Sequence, residues 1–548
     1  MNNAKVRVPP PANEPIKSYA PGTPERDALR SKLTELRSEE IEIPLIIGDR
    51  EVRTGNVATC VMPHSHRHVL ARYHQAGDRE VHMAIETALD AWKGWSTTPW
   101  ESRIAVFKRM AALLEGPYRF LLNAAAMLNL SKNVFQAEID SACEMIDMWN
   151  FNARYAQELY EQQPPLSPPP TWNVVENRPL EGFVFAISPF NFVSIAGNLP
   201  TAPALMGNVI LWKPAPNAVY PAYYLTRLFK EAGLPDGVIN FIPGPAAQVG
   251  SQVLSDPHLA GVHFTGSTAT FQTLWKTVST HLETYRNYPR VVGETGGKNF
   301  CLVHESADRD ALIAAMIRGA FEYQGQKCSA VSRAYIPIPL WKEIKDTYLD
   351  QVTSIKMGDV EDFANFMNAV IDEKAFKKIT GYIEWARKSK ECEFLTGGGY
   401  DDSEGYFVEP TTIVTTDPHS RIMEEEIFGP VVTLYLYDPN HWEETVHLVD
   451  QTSRYGLTGA VFARDRNAVD EASRILRHAA GNFYVNDKPT GAVVGQQPFG
   501  GSRRSGTNDK AGSMLNLSRW VTQRVIKENF DPPRGFRYPF MDPEVVNT

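Results

Sequence analysis

The sequence predicts an α/β protein with two doubly wound domains and a small β arm, on three observations. From position 183 onward, strand-like apolar runs alternate with helical segments, the pattern of right-handed βαβ units in parallel sheet. The alternation continues to about Phe462, too far for one sheet, so a second α/β domain is expected from about Asp308. The length of 548 residues, at about 100–200 residues per domain, allows three or four packing units.

Along the chain, residues 1–40 read as an extended, proline-bearing arm, followed by a strand-like patch at Ile41 to Ile47. Ile104, Phe107, Ala111 and Leu114 recur at helical spacing, and so do Ile139, Ala142, Ile146, Trp149, Ala153, Ala156 and Tyr160. The second series predicts one long packed helix. Proline-rich Gln162 to Pro170 cannot continue it. Strands are then expected at Phe183 to Ile187, Val209 to Lys213, Val238 to Ile242, Gly261 to Phe264, Val291 to Glu294 and Asn299 to Val303. A helix from Tyr220 to Ala232 stops at Gly233, and another from Asp308 to Gln324 stops at Gly325. Trp520, Val521, Val525 and Ile526 precede a proline-rich tail and read as a strand plus an arm.

Composition narrows the functional classes. Hydrophobic residues make up 43% and charged residues 22%, enough for large cores and incompatible with wholesale disorder. The net charge of −9 gives no global attraction to nucleic acid or an anionic membrane. The five cysteines are odd in number and widely spaced, without a C-x-x-C, which argues for a reducing compartment and against a disulfide framework or zinc knuckle. No charged residue occurs from Gly182 to Trp212, but Pro189, Pro200 and Pro203 in that stretch argue against a membrane span and for a buried strand, loop and helix flooring a cavity. Met1 to Pro11 carries no targeting pattern. A cytoplasmic location is expected, with the mitochondrial matrix the alternative for a processed eukaryotic enzyme.

Several motifs are absent. There is no G-x-G-x-x-G after a strand, no H-E-x-x-H and no G-x-S-x-G, and the histidines do not cluster at ligand spacing. No metal site is expected. Four features remain. Cys328 lies between a helix and a strand beside Lys327, where a thiol can be exposed and its pKa lowered, although an isolated cysteine is more often an inert buried hydrophobe. Glu294 ends an apolar strand before Thr295-Gly296-Gly297, a place for a base at the mouth of a sheet or for a solvated loop acid. Asn191 follows a buried strand and can serve as an oxyanion donor or as an ordinary turn residue. Ser267 joins a strand to a helix as a cap whose free N–H groups can receive a pyrophosphate. A thiol, a carboxylate, an amide donor and a phosphate-facing helix start are together what oxidation of an aldehyde through a covalent thioester requires.

At these residues the chain resembles the aldehyde dehydrogenase superfamily. The matching segments are Pro189 to Asn191, Trp212-Lys213-Pro214, Phe264 to Ser267, Glu294 to Lys298, Gly325 to Cys328, Glu426 to Pro430 and Pro498 to Gly501. Phe321 to Ala330, Gln136 to Asp140 and Pro498 to Lys510 are most similar to the branch that oxidises L-glutamate γ-semialdehyde to L-glutamate, the second step of proline catabolism. The resemblance implies Cys328 as nucleophile, Glu294 as deacylating base, and the Asn191 amide with the Cys328 N–H as oxyanion hole. It implies NAD as cofactor, held by Ser188, Pro189, Phe190, Lys213, Gly266, Ser267, Glu426 and Phe428. Substrate contacts are implied for Phe192 and Phe499 around the aliphatic chain, for Ser329, Gly491 and Ala492 at the α-carboxylate, and for Glu144 near the ammonium group.

The implied domains are an NAD-binding domain at 1–160 and 179–287, a catalytic domain at 288–510, and oligomerisation segments at 161–178 and 511–548. A homodimer or dimer-based hexamer is expected, with proline dehydrogenase as a pathway partner. Two departures stand out. Pro216 replaces a carboxylate frequent three residues after the ribose-binding lysine, although no arginine follows to take a 2′-phosphate. Ala492 stands where relatives often have serine. The rival readings are another semialdehyde as substrate, a cysteine hydrolase or acyltransferase working without nicotinamide, and a non-enzymatic protein that keeps the fold alone.

Overall fold

A computed structural model describes residues 5–543. The outermost residues of the expected arms, 1–4 and 544–548, lie outside the described residues. Two seven-stranded sheets organise the chain. In the first, strands run in the order Arg290–Glu294, Leu259–Thr265, Phe183–Ile187, Val209–Lys213, Ile239–Phe241, Leu45–Ile47, Arg50–Val52. The first five are parallel and the last two antiparallel additions. The strand order reverses between Phe183–Ile187 and Leu259–Thr265, so a crevice opens beyond their carboxyl ends.

The second sheet runs Cys392–Thr396, Thr411–Thr415, Val431–Tyr437, Val331–Pro337, Asn299–Val303, Thr458–Phe462, Asn482–Val485. It is parallel except at its first strand. Only Thr295 to Lys298 separate Arg290–Glu294 of the first sheet from Asn299–Val303, an interior strand of the second. So short a link sets the carboxyl edge of one sheet against the amino edge of the other.

Several sequence expectations change. Asn299–Val303 belongs to the second sheet, which therefore begins before Asp308. Arg290–Glu294 belongs to the first, so the sheets divide after Glu294 and not at 287/288. Residues 1–40 are not wholly extended: Pro24–Arg37 is a helix with proline at its start and Leu29, Leu33 and Leu36 buried. Its dense charge hides a narrow apolar stripe. The Ile41 to Ile47 patch splits at Pro44 into Ile41–Ile43 and Leu45–Ile47, which join different sheets. The long helix opens into a π-helical turn at Glu138–Glu144 before continuing as Met145–Glu161. That wider winding accommodates buried acidic residues in an apolar rod. The helix expected from Asp308 to Gln324 spans Arg309–Phe321, with Asp308 as its cap. Tyr323 and Gln324 then take left-handed conformations, with φ of 51° and 55°, before Gly325 at 65°.

Outside the sheets, Thr171–Pro179 pairs antiparallel with Val521–Asn529 as a nine-residue ribbon. Trp520 is buried just before it. The ribbon leaves Trp172, Val174, Val525 and Ile526 exposed. Among the described residues no helix is long and apolar enough to cross a membrane.

Candidate active site

The Cys328 loop is held at the amino edge of the second sheet. Asn299, the first residue of the strand Asn299–Val303, donates from Nδ2 to the carbonyls of Cys328 (2.7 Å) and Ala330 (2.8 Å), and its Oδ1 accepts the Thr458 N–H. Gly325 must be left-handed to complete the preceding turn. Tyr323 donates from its hydroxyl to Leu130 O (3.0 Å), and Gln324 Nε2 donates to Ser131 O (2.9 Å) and Ala369 O (2.8 Å). Side-chain bonds of this kind hold a backbone conformation that non-glycine residues rarely adopt.

Cys328 is half-buried and opens onto a cavity of about 420 Å³. Glu294, Phe192, Phe499, Ser329, Gly491, Ala492 and Glu144 line the same cavity, so the nucleophile, base and substrate candidates share one space. Burial pushes the Cys328 thiol up to about 12, and the Glu426 and Glu294 carboxylates add to the shift. Lys327 does not activate the thiol as the sequence suggested. Its buried ammonium is 3.0 Å from Glu322. The N–H groups of Cys328 and Ser329 favour the thiolate instead.

Glu294 ends the edge strand of the first sheet. Its carboxyl accepts the Gly501 N–H at 3.3 Å, and burial raises its pKa well above the ordinary carboxylate range. A Cβ on Gly500 would stand 2.9 Å from its Oε1, so the glycine pair lets backbone pass against the acid. Asn191 is buried and donates from Nδ2 to Gln326 O at 3.2 Å, two residues before Cys328.

Most of the cofactor candidates gather at the carboxyl edge of the first sheet, on either side of its switch point, while Glu426 and Phe428 come from the loop before Val431–Tyr437 of the second sheet. Lys213 is buried and, among the described residues, donates only to the Pro214 carbonyl, 3.3 Å away, and burial lowers its pKa to about 8. A buried ammonium without a carboxylate fits ribose hydroxyls as acceptors. Ser267 caps the helix Thr268–Thr280, accepting the Thr270 N–H at 3.2 Å, and the Gly266 N–H donates to Glu294 O. Glu426 is held by the Gly297 N–H at 2.8 Å, and burial raises its pKa. Phe190 and Phe428 meet edge to face at 5.9 Å, beside Pro189. The hydroxyl of Ser188 accepts from Trp212 Nε1 at 3.0 Å and its N–H donates to Lys213 O at 3.2 Å, which commits both to the fold and leaves its carbonyl for a ligand. These donors, acceptors and aromatic faces fit a dinucleotide.

The sequence reading missed part of the cavity. Thr490 pairs its hydroxyl with Ser329 Oγ at 2.8 Å, and Lys488 Nζ donates to Thr490 O. Residues 13–19 roof the far end. Asn13 Nδ2 donates to Asp147 and to Val494 O, the Glu14 N–H donates to Asp147, and Lys17 N–H and Tyr19 OH donate to Glu138. Acidic residues inside an apolar helical stretch were the available signal for these contacts.

Comparison with known proteins agrees with this arrangement. A family model described as "Aldehyde dehydrogenase family" matches residues 52–525. The chain belongs to the aldehyde dehydrogenase family. Among its relatives, the mitochondrial delta-1-pyrroline-5-carboxylate dehydrogenase of Dictyostelium discoideum is 50% identical over 99% of this chain and 98% of its own length. The Bos taurus protein of the same name is 50% identical over 97% and 94%. The Delta-pyrroline-5-carboxylate dehydrogenase of Mycobacterium tuberculosis, solved bound with NAD, superposes with a TM-score of 0.95 at 50% identity, covering 98% of this chain and 100% of that one.

Proposed function

We propose that this chain catalyses NAD-dependent oxidation of L-glutamate γ-semialdehyde, in equilibrium with Δ1-pyrroline-5-carboxylate, to L-glutamate, the second step of proline catabolism. The observation that carries this reading is the single cavity in which Cys328 and Glu294 face an apolar waist and two polar recognition ends. The names of the relatives support the same substrate.

In this reading the Cys328 sulfur attacks the aldehyde carbon as its proton passes to solvent, so the S–H bond breaks while the S–C bond forms. The thiohemiacetal oxyanion is met by the Asn191 amide and the Cys328 N–H. Bound NAD supplies the hydride acceptor, and loss of hydride leaves a thioester on Cys328. Glu294 takes a proton from water as it attacks the thioester; the C–S bond breaks, Glu294 passes that proton to the departing sulfur, and glutamate leaves with the thiol restored. Phe192 and Phe499 flank the aliphatic chain. Ser329, Gly491 and Ala492 receive the α-carboxylate, with Thr490 orienting Ser329, and Glu144 faces the ammonium. Lys213, Ser267, Glu426, Phe428, Gly266 and the Ser188 to Phe190 backbone hold the cofactor.

The wider assignments belong to the same proposal. The two sheets and their helices serve as the NAD-binding and catalytic domains, divided after Glu294. The ribbon of Thr171–Pro179 and Val521–Asn529 presents an apolar surface that supports a homodimer or dimer-based hexamer. Proline dehydrogenase is the pathway partner. The compartment is the cytoplasm, or the mitochondrial matrix for a processed eukaryotic enzyme; several relatives are named as mitochondrial.

Purified protein mixed with NAD and the semialdehyde is expected to form one NADH per glutamate, and much more slowly with succinate semialdehyde, which lacks the α-amino acid head. No NADH, or thioester hydrolysis without NAD as the only activity, overturns the reading in favour of a cysteine hydrolase.

A further inference from the structure

Lys132 and Asp140 are fully buried, and Lys132 Nζ lies 2.6 Å from Asp140 Oδ2. Neither lines the cavity that holds Cys328 and Glu294, so the pair needs another explanation. The helix Val193–Leu205 begins two residues after Asn191 and has no side-chain cap of its own. Asp140, reaching in from the π-helical turn, supplies one. It accepts the Val193 N–H at 2.9 Å, the Ser194 N–H at 2.9 Å and Ser194 Oγ at 2.7 Å, satisfying orphan donors that would otherwise be buried.

Lys132 makes the second half of the joint. Its ammonium lies 4.5 Å from the ring centre of Phe192 and 4.5 Å from that of Tyr323, both within cation–π range at a fully buried site. Phe192 adjoins the oxyanion candidate Asn191. Tyr323 opens the left-handed run that leads to Cys328. The two residues before Lys132 grip the same run, since Leu130 O accepts from the Tyr323 hydroxyl and Ser131 O from Gln324 Nε2. One charge thus touches the segment bearing the oxyanion donor and the segment bearing the nucleophile, from behind both.

We propose that Lys132, paired with Asp140, is a positioning residue that fixes Asn191 relative to Cys328. The inference rests on the roles given to those two residues in the proposed mechanism and extends them to residues that never meet substrate. Removing Lys132 alone leaves a buried carboxylate without its cation, which risks the fold. The test therefore uses Lys132→Met and, beside it, the charge-free double variant Lys132→Met/Asp140→Asn, whose amide oxygen still accepts at the helix start.

Two rate constants are measured in the full-length protein. One is the first-turnover formation of NADH from the semialdehyde. The other is release of p-nitrophenol from p-nitrophenyl acetate, an acyl transfer to Cys328 that uses the oxyanion donor without NAD. Both are expected to fall more than fivefold in the double variant, with NAD affinity and the KM for semialdehyde changed less than threefold. A purely structural pair would lower the burst amplitude, by unfolding a fraction of the protein, and leave the rate constant per active site within fivefold of the unsubstituted protein; that result overturns the proposal. Failure of the unsubstituted protein to make NADH counts against the substrate reading alone, because the ester reaction still reports on the joint.

Discussion

The two sheets contribute opposite edges to one site. The first offers the carboxyl ends of its strands, where the backbone leaves the sheet at Ser188, Lys213, Gly266 and Glu294. The second offers its amino edge, where the Cys328 loop is tied down by Asn299 and by the end of another helix. On the first edge, groups such as Lys213 remain with few partners and can receive a ligand. On the second, side-chain hydrogen bonds from Asn299, Tyr323 and Gln324 hold the loop, and the Cys328 sulfur faces the cavity. The crevice rule for α/β sheets accounts for the first edge and says nothing about the second. A nucleophile in a left-handed loop has to be held by contacts from elsewhere.

The sharpest way to break this comparison is to remove the sulfur. Cys328→Ala is expected to lower turnover by a factor on the order of 10⁵ or more, since no covalent intermediate can form. NAD affinity, measured by titration calorimetry, should change less than threefold because Ser188, Lys213 and Ser267 sit on the other sheet, and Glu426 and Phe428 on a loop of the second that is separate from the Cys328 loop. A large loss of NAD affinity would mean that the two edges are not separable.

Glu294 straddles the division, being the end of one sheet and the neighbour of the other sheet's thiol. Glu294→Gln keeps the shape and the acceptor for the Gly501 N–H but removes the base. A general base contributes roughly 10²–10⁴-fold, so steady-state turnover should fall by about that factor while one NADH per site still forms in a rapid burst. Loss of the burst together with the steady state would place Glu294 in the first chemical step.

The cofactor edge was the more legible from sequence, for a physical reason. Lys213, Ser267 and Glu294 are each marked locally, by the end of an apolar strand or the start of a helix. Cys328 was also marked, by the helix stop and the strand on either side of it. The contacts that hold its loop were not, because they join segments far apart in the chain: Tyr323 to Leu130, Asp140 to Val193, Asn13 to Asp147. The π-helical turn looked like ordinary helix because its apolar positions keep nearly the same spacing. Lys327 misled for the converse reason. Adjacency in sequence put a cation beside the thiol, whereas its side chain turns away to Glu322.

The recognition ends of the cavity give smaller effects. Burial pushes Glu144 up to about 8, with Asp140 adding to the shift and Lys132 opposing it, so the free enzyme carries this carboxyl largely protonated at neutral pH. A raised carboxyl pKa means that the folded state binds the proton more tightly. Its contribution to stability is complete below the ordinary value of 4.5 and is lost as pH rises through about 8. Binding of an ammonium group follows the opposite course, since the charge that attracts it appears only as that proton leaves. The KM for semialdehyde is expected to fall as pH rises through about 8. Glu144→Gln should abolish that dependence and raise KM about tenfold above it, the scale of a hydrogen bond to a charged group. Urea unfolding at high pH should show the variant at least as stable as the parent. A pH-independent KM in the parent would remove Glu144 from ammonium recognition.

Ala492 offers the smallest and most specific change. Gly491 takes a left-handed φ of 90°, turning the loop so that Gly491 and Ala492 face the same cavity as Ser329. The proposed carboxylate site draws on the Ser329 hydroxyl and these backbone groups, and alanine adds no side-chain donor. Ala492→Ser supplies a hydroxyl at the cost of one heavy atom in a cavity with room for it. A typical net hydrogen bond of about 0.5–1.5 kcal/mol corresponds to roughly a 2- to 12-fold lower KM for the semialdehyde, with kcat unchanged because the carboxylate is bound equally in ground and transition states. Succinate semialdehyde discriminates between explanations. Its carboxylate hangs on a shorter chain without the ammonium, so a gain confined to the glutamate substrate locates the new contact at the α-carboxylate. An equal gain for both substrates would instead mean that the serine acts on the cavity as a whole, and that the 491–492 loop is not where the carboxylate is read.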